Sequence, residues 1–183
     1  TGCPRFDFWF PPYNALIGDR VTIAGLRGID PDRKTVTVVP YFPSAKFANQ
    51  SQWFHKGDWE DLGVTKIKGF EDPIAHSEKE FQAEKQFMAM LLAYRLHYPD
   101  RQYVISPHPA ADVLPWRKFC EEHGIHLWTN NDIFTLLAVS DLHIGRPGCV
   151  TLNEAWIKDI PTLAFGTGND EYSGAVAEAK ECT

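Results

Sequence analysis

From Ser77 to Phe165 the sequence switches repeatedly between a helical and a strand-like pattern, and that alternation limits the fold more than any other feature. Ser77 offers an N-cap, Glu78 and Glu80 suit a first turn, and Phe81, Met88, Leu91, Leu92 and Arg95 recur at helical spacing. Together they predict a helix to about His97. A strand at Gln102 to Ser106, a helix from about Asp112 to His123 stopped by Gly124, and a strand at Ile125 to Trp128 follow. The rhythm then repeats. Asp132 opens a helix through Phe134, Leu136 and Leu137, Asp141 to Ile144 is a strand, Thr151 to Lys158 a helix and Thr162 to Phe165 a strand. Upstream, the β-branched run Lys34 to Tyr41 predicts a further buried strand leading into Pro43 and Ser44. Strands separated by helices require right-handed crossovers, so the expected fold is α/β, a Rossmann-like parallel sheet with helices on both faces.

The 183 residues, 44% of them apolar and 23% charged, suffice for one globular domain over 1–183. Within it, 1–33 reads as an irregular lead-in, and the aromatic-rich segment 45–75, with Trp53 and Trp59, as an insertion without clear period. Tyr172 to Glu181 reads as a closing helix. A net charge of −6 with scattered Lys and Arg gives no basic stripe, which argues against a nucleic-acid partner. Cys3, Cys120, Cys149 and Cys182 form no CxxC pair, and the histidines have no metal-ligand spacing. The expectation is no metal site, reduced thiols and a cytoplasmic protein. No apolar run approaches the roughly 20 residues that span a bilayer.

In an open parallel sheet, ligands bind beyond the carboxyl ends of the strands, so the loops there hold the candidate residues. Ser44 and Lys46 follow the first strand, Pro107, His108 and Pro109 the second, and Asn130, Asn131 and Asp132 the third. The fourth loop runs from Gly145 through Gly148 and Cys149 to Thr151, Glu154 and Ala155. Its glycines let backbone approach a ligand, and the next helix turns unpaired amides and a positive dipole end toward an anion. Two readings stand side by side: Thr151 and Glu154 meet a phosphate and a ribose diol, or they form a capping box.

The stretch Leu136 to Phe165, with Ser140, Asp141, Gly145, Gly148, Thr151, Glu154, Ala155 and Pro161, resembles the donor-binding signature of GT-B glycosyltransferases. The opening TGCPRFD resembles the hinge that begins the second domain of surface-carbohydrate transferases, including glycerol-phosphate polymerases. His108 and Pro109 resemble the HP pair of those polymerases and of bacterial sialic acid and Kdo transferases. The resemblance implies one half of a GT-B fold, in which Glu154 binds the donor ribose, Gly148 to Thr151 face its phosphates, His108 contacts phosphate and the loop holding Asn130 meets the base. It departs at Ser106, where many relatives carry lysine, and at Arg146 with Pro147, which replace a glycine pair. Arg146 can supply the missing cation by gripping a phosphate, or it can pair with Asp141 or Glu154.

The implied function is transfer of a sugar or polyol phosphate from a nucleotide-activated donor to a surface-polysaccharide acceptor. Helix amides and the cations Arg146, Lys46 or a protonated His108 would neutralise the leaving group, with no cofactor. The start without methionine suggests an excised N-terminal acceptor domain, and with it a full protein able to work at the inner face of the membrane. A nucleotide-sugar 2-epimerase and a non-catalytic nucleotide-binding module are the alternative readings.

Overall fold

The computed structural model describes residues 4–48, 63, 66, 71–129 and 132–166. Five strands, β1 (Thr35–Val39), β2 (Gln102–Ile105), β3 (His126–Leu127), β4 (Leu142–Gly145) and β5 (Thr162–Ala164), form one sheet in the order β3-β2-β1-β4-β5. Every neighbouring pair is parallel. The fold is therefore α/β and Rossmann-like. The strand order grows outward from β1 in one direction to β2 and β3, then reverses to β4 and β5, which puts a topological switch point between β1 and β4.

Among the described residues, six α-helices connect and flank the strands: α1 (Pro4–Asp7), α2 (Arg20–Arg27), α3 (Pro73–His97), α4 (Val113–His123), α5 (Ile133–Ala138) and α6 (Val150–Ile157). Strand residues alternate between the faces, as period-two geometry demands. Val36, Val38, Tyr103, Ile105 and Ile144 pack with Phe87 and Leu91 of α3 and Trp116 and Phe119 of α4. Val39 and Val104 pack on the other face with Ile23 and Ala24 of α2, Leu136 and Leu137 of α5 and Ala155 of α6. Burying each large apolar side chain contributes roughly 1.5–3 kcal/mol, so two cores hold the short strands from both sides.

Two local expectations are corrected. The lead-in is largely helical: Asp19 caps α2 by accepting a 2.9 Å hydrogen bond from Thr22 N, and Gly28, at φ +68°, ends it. Gly18 and Gly28 bracket the helix, and Gly25 is accommodated within it. The long helix starts at Pro73, not Ser77, because the carboxylate of Asp72 accepts from Ile74 N and Ala75 N and proline fits the first turn. Ser77 is buried inside, its hydroxyl donating to Pro73 O at 2.9 Å. Of segment 45–75, a 3-10 turn at Ala45–Phe47 and the start of α3 are described; Trp53 and Trp59 lie outside the described residues, as does the expected helix from Tyr172 to Glu181. Among the described residues, no helix is long and apolar enough to cross a membrane.

Candidate functional site

Beside the switch point lies a cavity of about 310 Å³. The end of β1 contributes Val39 and Tyr41, the end of β2 contributes Ser106 to Pro109, and the loop after β4 contributes Gly148 to Thr151. Ile133 of α5 and Arg5 of α1 complete the wall. Gly148 takes φ +79°, a conformation that a side chain would strain, and this turns the chain into α6. The N-cap of α6 is Cys149, with no side-chain cap, so the helix brings its first-turn amides and positive dipole end to the cavity wall.

The capping-box expectation is thereby corrected: Thr151 is the second helical residue, and Glu154 is engaged elsewhere. Arg5 donates to both carboxylate oxygens of Glu154, Nε to Oε1 at 2.6 Å and Nη2 to Oε2 at 2.8 Å. Glu154 has no exposed surface, whereas the Arg5 side chain is 45% exposed and lines the cavity. A bidentate carboxylate holds a guanidinium rigidly, so Arg5 is a fixed cation at the wall.

His108 stands on the loop after β2, its backbone N donating to Pro40 O at 3.1 Å. Its Nδ1 accepts from Ala110 N at 3.1 Å and its ring meets Tyr41 edge-on at 4.4 Å. An Nδ1 that accepts requires the neutral ring to carry its proton on Nε2. Burial, and then the charge of Arg5, hold the His108 pKa below the ordinary imidazole value. No carboxylate lines the cavity among the described residues.

The remaining candidates spread out. Lys46 donates to Ala110 O at 3.0 Å, and Ser44 precedes the 3-10 turn; neither lines the cavity. Asn130 lies outside the described residues. Arg146 turns neither to Asp141 nor to Glu154: it donates to Glu80 Oε1 at 2.6 Å and Tyr41 O at 2.9 Å, over the ring of Phe42. Asp141 belongs to the amino ends of the strands, where Arg20, Lys34 and the amide of Thr35 donate to its carboxylate. Burial alone would raise its pKa, but these donors hold it below the usual value. Gly145 packs against Leu152, where a Cβ would come within 3.3 Å, so that glycine serves the seating of α6.

Behind the cavity wall runs a buried polar chain that sequence reasoning missed. His143, fully buried in β4, contacts Thr37 Oγ1 through Nδ1 at 2.9 Å and Thr151 Oγ1 through Nε2 at 3.1 Å. Thr37 continues to Ser140 Oγ at 2.8 Å, and Thr151 to Cys149 Sγ at 3.1 Å. Burial pushes the His143 pKa down to about 4, so the ring is neutral near pH 7. Its sequence sign is a lone histidine in an otherwise apolar strand, on the same face as Thr37. Arg5, also missed, lay only in the opening segment. No group of His, Cys, Asp and Glu among the described residues could hold a metal ion.

The arrangement defines a Rossmann-like α/β protein whose cavity, at the reversal of strand order, joins a fixed guanidinium, a histidine and a helix start. No family model matches the chain, and no curated protein matches it either.

Proposed function

We propose that this cavity receives the phosphates of a nucleotide-activated sugar or polyol, and that the chain is the donor-binding half of a glycosyltransferase acting on a surface-polysaccharide acceptor. The observation that carries the reading is the make-up of the wall: Arg5, His108 and the start of α6 converge at the switch point, with no carboxylate among the described lining residues. In a chain of net charge −6 that local bias favours an anion. With Glu154 closed beneath Arg5, the carboxylate acts by fixing the guanidinium against the phosphates, and a ribose contact would require Arg5 to let go.

Chemistry at such a site is positioning and charge neutralisation. As the bond to the leaving phosphate breaks, negative charge grows on its oxygens. Arg5, the α6 amides and the Nε2–H of His108 are donors fixed before that charge develops. Acceptor and general base belong to another domain in this reading.

Thermal denaturation with UDP, CDP, CMP and GDP compounds, and with the bare nucleosides, tests the reading. At least one phosphorylated compound raises the melting temperature, its nucleoside does not, and Arg5→Gln abolishes the rise. Absence of any phosphate-dependent rise rejects the function. Interconversion of a bound sugar nucleotide without acceptor would assign the site to an epimerase instead.

A further inference from the structure

The buried chain behind the cavity shares five protons among six contacts, and the tautomer of His143 decides how many of them are made. Cys149, Thr151, His143, Thr37 and Ser140 each bring one proton, and the contacts are Cys149–Thr151, Thr151–His143, His143–Thr37, Thr37–Ser140, Ser140–Leu142 O and, longer at 3.4 Å, Thr37–Leu142 O. The carbonyl of Leu142, which accepts from Ser140 at 3.0 Å, can only accept. Reading back from it, Thr37 donates to Ser140, His143 donates from Nδ1 to Thr37, Thr151 donates to Nε2, and the Cys149 thiol donates to Thr151. Every contact but the 3.4 Å one from Thr37 to Leu142 O is made, and the Thr151 proton is turned to the His143 ring.

The other tautomer reverses the near end. With the proton on Nε2, His143 donates to Thr151, and Thr37 must donate to Nδ1. Ser140 is then left with one proton for two contacts, so one internal hydrogen bond is lost. In exchange the Thr151 oxygen accepts from both His143 and Cys149 and its own proton is released toward the cavity that it lines. An anion there restores the lost bond.

We propose that His143 is a positioning residue for this cavity: its ring holds the Nδ1–H tautomer when the cavity is empty and the Nε2–H tautomer when a phosphate group occupies it, which makes the Thr151 hydroxyl a donor to that phosphate. No proton enters or leaves in net. One N–H bond breaks at Nδ1, one forms at Nε2, and the hydroxyls of Thr37 and Thr151 reverse direction. The inference rests on the anion reading of the cavity given above.

The probe is inorganic pyrophosphate at millimolar concentration, added to the 183-residue chain labelled with 15N in its histidines and backbone. Long-range proton–nitrogen spectra distinguish protonated from bare ring nitrogens, and backbone amides of Val150 to Leu152 report binding. The expected result is amide shifts together with transfer of the His143 proton from Nδ1 to Nε2. Thr37→Val leaves Nδ1–H without an acceptor, so the ring of that variant is already Nε2–H without ligand, and it binds pyrophosphate roughly fivefold more tightly. Amide shifts with an unchanged tautomer, or Thr37→Val retaining Nδ1–H, overturn the inference and leave the anion site standing. Absence of amide shifts removes the anion site and this inference with it.

Discussion

Inside the core on the α3 and α4 side, the indole Nε1 of Trp116 donates a 2.8 Å hydrogen bond to Oε1 of Glu84, joining two side chains that the fold almost wholly removes from water. Burial raises the Glu84 pKa to about 7; Trp116 pulls it down, and the charges of Asp112 and Glu80 push it further up. The folded protein thus holds this proton more tightly than the unfolded chain. Stability from this group is greatest below about pH 4.5 and declines as pH rises through about 7. Glu84→Gln keeps an oxygen for Trp116 without the charge. Urea unfolding should show the variant more stable by about 2 kcal/mol at pH 8 and near parity at pH 4.5. An equal difference at both pH values would refute the assignment.

Removing Arg5 leaves the Glu154 carboxylate buried and unanswered. Arg5→Ala should cost roughly 2 kcal/mol, less than a wholly buried pair would, because the guanidinium is half exposed. The double variant Arg5→Ala with Glu154→Ala should regain most of that stability but not the binding of a nucleoside diphosphate. Chemical denaturation and calorimetric titration separate the two effects. Recovery of binding in the double variant would show that Arg5 does not touch the ligand.

Arg146 should behave oppositely. Its ion pair with Glu80 is largely buried on both sides, at 14% and 8% exposed. Arg146→Ala should lower stability by about 3 kcal/mol. Its diphosphate affinity, measured where the variant is still folded, should stay within about twofold of the parent. A loss of affinity at full folding would return Arg146 to the anion site.

His108 is held neutral below the ordinary imidazole range by burial and by Arg5. Acid therefore adds a positive charge to the cavity only once pH falls beneath that range, about 6.5. As pH falls below about 6.5, diphosphate affinity should rise more steeply in the parent than in His108→Gln, the difference cancelling the ligand's own titration. Parallel profiles would exclude a contact between His108 and phosphate.

The sheet was legible because its information is local. β-branched runs and Gly124 mark strands and stops within a few residues, and all five described strands fall where the alternation puts them. Helix starts were less legible: Asp72 with Pro73 outcompetes Ser77, and Cys149 holds the cap position that one of the two readings gave to Thr151. The cavity wall was legible at His108 and at Gly148 to Thr151, which the strand-end rule locates without knowing any contact. Illegible were the contacts of Arg5, whose partner Glu154 is 149 residues away, and of Arg146, whose partner Glu80 is 66 residues away. Such pairings are decided by tertiary packing, and charge spacing along the chain does not record them.

The clasp between residues 5 and 154 makes the helix Pro4–Asp7 part of the cavity wall. On the proposed reading, replacing that short helix would retune affinity while every strand stayed in register, and a graft of this sheet that left the helix behind would carry over the architecture without its grip.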